Sequence, residues 1–545
     1  MSESSFRPVS EGVWDKAFDK ARIYLETYRT PLAIAAVAVV CAALFSRIMA
    51  YPLRHDEHFY LAAAFYADRA DLYREINYTH LPNFPLMMRA VLDLFGTERV
   101  LLTGRLVVVL FWGVSLYALY AIARFMGGSR AFGLMLAVLL ALNPLLLGPA
   151  GMIVTNNFAP VPFALLGLLF LLKGASEVPG KAMQCFLAGV FFSVAIGMKA
   201  NYALLIPAVG LCALLAPRQL PLAQRFVRVT LPLAVGALLA GIPTLFYLIR
   251  EPQSFLAHVV RFHGDAHVAF WTAQSELEGP VALGLRGKMI LAQGAWLAGG
   301  TLLIFLLVAY LAIVRLRRGG DAAEPGQPAP LWPIVLTSGL VGLALAISFV
   351  PTPGFPQYYA PPIAFALVLC AVLYGPLGSG AKAAAQPVLA AVMILSAIAA
   401  APMLLPDLRT IARPSAWTGN SVHRAAAGIA ARIGPDRMDG PVLTLAPIHA
   451  IEAGLSPYDG LLIGPFIYRG VEYVNETDRQ YFSAVQTPSG LTGLLEAAPP
   501  SAVLVGTEEY LDVPLEEWAK ANGFTAYPVD LGDKRKGAGT VYVSP

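Results

Sequence analysis

Apolar residues fall into eleven long runs along the chain, at about residues 31–50, 101–122, 131–148, 158–173, 183–198, 201–216, 229–249, 288–314, 331–350, 360–377 and 386–405. A helix needs about 20 apolar residues to cross the hydrocarbon core of a bilayer, and these runs are separated by clusters of Gly, Pro and charge that act as breaks. The pattern predicts a polytopic α-helical membrane protein with about eleven transmembrane helices, the first of them an uncleaved span. No inverted internal repeat is visible. Beyond Leu405 the pattern shortens. His423 to Ile433 reads as a helix, PVLTL (441–445), LLIGPFIY (461–468) and SAVLVG (501–506) as buried strands, and LEEWAKANG (515–523) as a further helix. Strands alternating with short helices predict a small α/β domain, which divides the chain into a membrane part, 1–405, and a polar part, 406–545.

Composition agrees with that division. Of 545 residues 57% are hydrophobic and only 14% charged, against roughly 25% charged in soluble domains. The net charge of +4 is small and dispersed, which argues against nucleic acid as a partner. Cys41, Cys185, Cys212 and Cys370 all lie inside apolar runs with no metal-ligand or disulfide spacing. The basic residues report orientation instead. Lys16, Lys20, Arg22 and Arg29 precede the first run, and every second connection is basic: Arg124 and Arg130, Lys173 and Lys181, Arg218, Arg225 and Arg228, Arg315, Arg317 and Arg318, then Lys382. The short connections between them hold only Lys199. A cytoplasmic N-terminus then places the first loop (51–100), the 250–287 loop and the C-terminal domain outside, in the periplasm if the membrane is a bacterial inner membrane. The Pro/Gly-rich linker 319–330 falls on the cytoplasmic side.

Candidate chemistry concentrates on the outer side. Directly after the first run stands His55-Asp56-Glu57-His58, four ionisable residues at a membrane edge. A carboxylate there can accept a proton from an acceptor group or stabilise developing positive charge. The competing reading makes Asp56 an N-cap to a helix starting near His58. A metal site using all four is unfavourable, because adjacent residues on a helix point in different directions. Two prolines in Tyr78-Thr79-His80-Leu81-Pro82-Asn83-Phe84-Pro85 are expected to hold the chain extended and to present Tyr78, His80 and Asn83 beside the tetrad. Lys199 is a cation at membrane depth, costly unless paired, for which a lipid-linked phosphate is a natural partner; the bland alternative is a snorkelling side chain. Gln357, Tyr358 and Tyr359 precede Pro361-Pro362 at the outer surface and are either binding residues or interfacial anchors. Asn156-Asn157 crowns another outer turn. In the 250–287 loop, RFHGDAH has no specific metal-ligand spacing, but Arg261 and His263 are candidates to contact phosphate.

Several of these positions together resemble the GT-C superfamily of membrane glycosyltransferases, within it the protein mannosyltransferase and lipid A aminoarabinose transferase branch (glycosyltransferase family 39-like). The resemblance rests on Asp56-Glu57 after the first span, the Pro-rich segment running to Leu94-Phe95-Gly96, Thr155-Asn156-Asn157, Lys199 between two spans, and Tyr358-Tyr359-Ala360-Pro361-Pro362. It implies transfer of a sugar from a polyprenyl-phosphate donor to a lipid, glycan or protein acceptor on the outer face, with inversion at the anomeric carbon. By that resemblance Asp56 is the base and Glu57 assists or binds acceptor; Lys199 and an arginine such as Arg261 hold the donor phosphate, and His55, His58, Tyr78, His80, Asn156, His263, Gln357, Tyr358 and Tyr359 line the substrate site. Asn156 stands where several relatives are acidic, which favours a metal-independent mechanism while leaving a divalent ion open; no other cofactor is implied. The rival class is a transporter, for which ionisable residues or broken helices near the midplane are expected; here the charges gather at the outer rim. A second rival is a non-catalytic scaffold whose soluble domain binds a partner.

Overall fold

The computed structural model describes residues 34–176, 181–216, 220–276, 281–318, 330–482 and 487–545. The linker 319–329, the basic N-terminal residues and Arg218 lie outside these ranges. The described chain is mostly helical, and each of the eleven apolar runs contains a helix. Among the described residues five helices are by themselves long and apolar enough to cross a membrane: Val100–Phe125, Leu222–Ala240, Gly299–Arg317, Pro356–Tyr374 and Ser379–Leu404. The other apolar helices are shorter, with Arg130–Ala141, Pro160–Ser176, Ala182–Met198, Ala200–Leu215 and Trp332–Ile347 among them.

Three expected runs are interrupted for local reasons. The run 288–314 is two helices, Leu285–Trp296 and Gly299–Arg318, parted where Gly299 takes a left-handed φ of +52°. The run 229–249 breaks into Leu222–Ala240 and Ile242–Arg250, with Pro243 opening the second piece. The run 131–148 stops at Ala141, because the Asn143 side chain accepts hydrogen bonds from the backbone N–H groups of Leu145 and Leu146 and so opens a new turn.

Packing inside the bundle follows composition. Pro361–Tyr374 has no charged residue and is buried at every position, as a helix apolar all round must be. Ala182–Met198 and Leu231–Ala240 cross at their glycines: a Cβ on Gly189 would stand 1.9 Å from the Leu233 carbonyl oxygen, and one on Gly236 2.1 Å from that of Phe186. Small residues permit that close approach between membrane helices.

The tetrad end of the bundle is organised around helices α1 (Ile34–Ala50) and α2 (His55–Tyr66), which meet at 84°. Pro52, with no N–H to donate, sits in the turn between them. The first loop continues to α3 (Asn83–Phe95), closed by Gly96 at φ +54°, and then to α4 (Val100–Phe125). Here the Pro-rich segment departs from expectation. Pro82 and Pro85 start α3 rather than holding an extended loop, which the first turn of a helix tolerates.

Residues 406–545 include a four-stranded sheet of β1 (Val442–Thr444), β2 (Ala502–Val505), β3 (Thr525–Asp530) and β4 (Ala538–Val543) in the order β1-β2-β4-β3. Strands β1 and β2 are parallel, with Val442 opposite Ala502; β4 runs antiparallel to both β2 and β3. Helices Thr418–Ile433 and Val513–Ala521 accompany the sheet. The expected strand 461–468 is instead a 3-10 turn, Asp459–Leu461, and a short helix, Pro465–Tyr468, that follows Gly464 at φ +76°. The chain is therefore α/β as expected in this part, but its second and third sheet partners come from the C-terminal hairpin.

This part is seated on the tetrad end of the membrane bundle. Leu53 N–H donates to Asp533, Lys534 donates to the Ala50 carbonyl, Thr418 to that of Tyr51, and Arg261 pairs with Asp478. Arg47, near the C-terminal end of α1, pairs with Asp407 at 3.0 Å. Ile448, Ile451, Ile467 and Phe482 belong to the same apolar core as the membrane helices.

Candidate active site

Helix α2 begins two residues earlier than an Asp56 cap requires. Its N-cap is Arg54, so His55, Asp56 and Glu57 occupy the first turn. Glu57 supplies the capping interaction, accepting the Arg54 N–H at 3.3 Å. Successive side chains on a helix diverge, and the two carboxylates go to opposite fates.

Glu57 turns inward and is fully buried. Both its oxygens accept from Arg105 of α4 at 2.6 Å, and Oε1 also accepts the Val154 N–H at 3.0 Å. Arg105 spends its other donors on the carbonyls of Ile48, Met152 and Pro52. The pair is a bidentate, saturated knot tying together the end of α1, α2, α4 and the turn before Asn156. The expectation that Glu57 acts on substrate is thus at odds with its surroundings, since no lone pair faces a cavity.

Asp56 turns outward, 28% exposed, into a cavity of about 340 Å³. Its Oδ1 is 3.0 Å from His55 Nε2. Burial by itself would raise the Asp56 pKa, but the His55 charge and hydrogen bond outweigh it and hold the carboxyl below its ordinary value. The same pairing overcomes burial at His55 and lifts its pKa. Asp56 therefore stays a carboxylate at neutral pH.

Across the cavity stands Lys199, at the break between Ala182–Met198 and the 3-10 turn Ala200–Leu204. Its Nζ donates to Asn157 at 2.6 Å and to Asn156 at 3.4 Å, and lies 5.2 Å from the Tyr358 ring centroid. Burial draws the ammonium down to about 8. Asn156 is oriented rather than free. Its Oδ1 accepts from Tyr60 at 2.7 Å and its Nδ2 donates to the Met198 carbonyl, which fixes the amide oxygen toward the lysine. His80, His263, Gln357 and Tyr358 line the same cavity.

Other candidates are placed elsewhere. Tyr78 is buried beneath Phe59, their rings stacked at 5.1 Å. Tyr359 is fully buried, its hydroxyl on the Lys288 carbonyl and its own carbonyl on the Trp296 N–H. Arg261 gives its guanidinium to Asp478 rather than to the cavity. His58 faces a neighbouring cavity of about 250 Å³, where its ring stacks on His449; burial and the two neighbouring imidazoles hold it neutral.

The cavity also contains residues that the sequence did not single out as substrate contacts: Arg54, His267, Trp271, Phe466 and Arg469; Asn157, noted with Asn156 on the same turn, lines it too. Arg469 comes from the C-terminal domain and lies within 5.5 Å of the ring centroids of Phe270, Trp271 and Phe466. The charge of its sequence context, FIYRG, was the available signal, but only the docking of that domain reveals its position. Asp56 is the one acidic residue of a lining made mostly of basic and aromatic side chains, with Asn157, Gln357 and a few small or apolar residues between them, a setting suited to an anionic substrate with a ring-shaped, hydroxyl-bearing part. Among the described residues no group of three or more His, Cys, Asp or Glu is placed to hold a metal ion.

Residues 79–247 match the family model described as dolichyl-phosphate-mannose-protein mannosyltransferase. Among solved structures, ArnT from Cupriavidus metallidurans bound to undecaprenyl phosphate aligns over 95% of this chain and 98% of its own, at 16% identity and a TM-score of 0.55. The same protein in its apo state aligns over the same shares at 17% identity and a TM-score of 0.54. No curated protein sequence matches.

Proposed function

We propose that this chain, whose fold is that of the GT-C membrane glycosyltransferases, transfers a sugar from a polyprenyl-phosphate donor to a lipid, glycan or protein acceptor. The observation that carries the reading is a single cavity at the end of the helical bundle that holds one carboxylate, Asp56, facing a lysine, Lys199. In this reading the chain crosses a bacterial inner membrane eleven times, and its outer loops and residues 406–545 lie in the periplasm.

Asp56 is the general base. It accepts the acceptor's proton as the acceptor oxygen attacks the anomeric carbon from the face opposite the phosphate, which inverts that centre. His55 keeps the carboxylate ionised and holds one of its oxygens, leaving the other for the acceptor. Lys199, oriented by Asn156 and Asn157, meets the phosphate as negative charge grows on the leaving oxygen. Tyr60, Gln357, Tyr358, Trp271 and Phe466 are the walls against which a sugar ring packs. Glu57 has the structural role its ion pair defines, and no step needs a metal.

Purified protein given a radiolabelled undecaprenyl-phosphate-linked sugar and membrane extract as acceptor source should transfer label. Asp56→Asn should lower the rate by about 10²–10⁴-fold with the thermal midpoint little changed. Transfer surviving at the normal rate in both Asp56→Asn and Asp56→Ala would remove the base assignment.

A further inference from the structure

A second cavity of about 350 Å³ adjoins the first, and the two share His80, Lys199, His263, His267 and Tyr358. Asp56 lines only the first; Leu81, Val259 and Val350 line only the second. A polyprenyl-phosphate donor divides in the same way, into a polar sugar, a charged phosphate and an apolar chain. Resting on the transferase reading above, we propose that the donor phosphate sits in this shared wall and that the imidazoles of His80, His263 and His267 take up one proton as its second negative charge appears.

The three rings form one cluster. His80 and His263 meet edge to face at 4.9 Å between centroids, and His263 and His267 stand 5.8 Å apart. His263 Nε2 donates to the Thr79 carbonyl at 2.8 Å, which leaves Nδ1 as the proton-accepting atom, and His80 Nδ1 is 3.2 Å from Thr79 Oγ1. Among the described residues the His267 ring makes no hydrogen bond. The charged and titratable groups facing the cluster are Lys199, Arg469, Arg54, His55, Asp56, Tyr60 and Tyr358. Burial above all, with neighbouring positive charge, holds all three imidazoles below their ordinary pKa, against the opposing pull of the Thr79 carbonyl on His263 and of Asp56 on His267. They are therefore neutral bases beside a lysine, ready to be charged by an anion.

The reaction supplies that anion. A new bond forms between the acceptor oxygen and the anomeric carbon. The bond from that carbon to the phosphate oxygen breaks, its electron pair staying on the phosphate. The acceptor's proton passes to Asp56 and thence to solvent. A phosphodiester with one charge has become a phosphomonoester with two, and an imidazole proton drawn from solvent compensates the added charge.

Proton uptake can be measured directly. Undecaprenyl phosphate is titrated into detergent-solubilised protein at about pH 7.5, calorimetrically, in buffers of different ionisation enthalpy. The expected result is uptake of about one proton per ligand, equivalent to about tenfold tighter binding per unit fall in pH, with a polyprenyl phosphodiester taking up much less. Lys199 is mostly charged at that pH and supplies only a fraction. His267→Asn should reduce the uptake, and the combined His80→Asn, His263→Asn, His267→Asn protein should lose it while keeping weakened binding. Binding without proton uptake, or uptake unchanged in these variants, overturns the inference and leaves the transferase reading standing. Failure of wild-type protein to bind undecaprenyl phosphate overturns both.

Discussion

Asp56 and Glu57 are neighbours in sequence, yet the structure gives their carboxylates separate surroundings. The family resemblance puts Asp56 ahead of Glu57, but the sequence cannot show that Glu57 is committed to Arg105, 48 residues away. A buried pair of this kind is expensive to break from one side, since the survivor is left as an uncompensated charge. Glu57→Ala or Arg105→Ala should therefore destabilise the protein by about 3–5 kcal/mol, read as a loss of thermal stability in detergent. Arg105→Lys should recover little, because a point charge cannot reproduce the two-pronged contact. Activity should fall in step with folded protein in these variants, whereas Asp56→Asn should separate activity from stability. A Glu57→Ala protein with normal stability and selectively lost transfer would return Glu57 to the chemistry.

At the scale of elements, strong periodicity was legible and partner choice was not. Helices Thr418–Ile433 and Val513–Ala521 and strands β1 and β2 all lie where the pattern predicts them. LLIGPFIY is as apolar as a strand, but Gly464 and Pro465 turn it into a helix start. Strands β3 and β4 escaped notice because TAYPVD and AGTVYV carry Pro, Gly and few large apolar residues, and they form through pairing with each other. The joint between this domain and α4 makes its own prediction. Glu452 ends the helix Pro447–Glu452; its Oε1 accepts the Leu101 N–H at 2.9 Å and its Oε2 lies 3.3 Å from His423 Nδ1. Burial pushes its pKa up to about 8, against the pull of the Leu101 bond and of Arg99. Because the folded value exceeds the unfolded one, the native state binds more protons. The stability contributed by protonated Glu452 is thus complete below about pH 4.5 and is lost as pH rises toward 8. Melting curves from about pH 5 to 8 should show a falling midpoint for wild-type protein and a flatter profile for Glu452→Gln, which keeps the acceptor and cannot ionise. Equal slopes would show that this carboxyl is charged throughout.

For the whole molecule, the eleven apolar runs make membrane residence readable before any coordinates, and the alternation of basic connections predicts an orientation. What they leave out is that residues 406–545 are built into the site, delivering Phe466 and Arg469 to the cavity and covering the start of α2. That follows from tertiary docking, which leaves no periodic trace. It also sharpens the topological prediction, because a cavity shared by the first loop and the C-terminal domain requires both on one side of the membrane. Ser456 is exposed on that domain, and its side chain takes part in no hydrogen bond among the described residues, so Ser456→Cys is a benign reporter. The four native cysteines all lie in apolar runs. In intact cells with a permeabilised outer membrane, Ser456→Cys should react with a membrane-impermeant maleimide as fully as after lysis, and a cysteine introduced at Ser129, in a basic connection, should react only after lysis. Protection of both sites until lysis would place the domain, and with it the cavity, in the cytoplasm. The acceptor would then have to be a cytoplasmic molecule, and the orientation read from Lys and Arg would be reversed at its first loop.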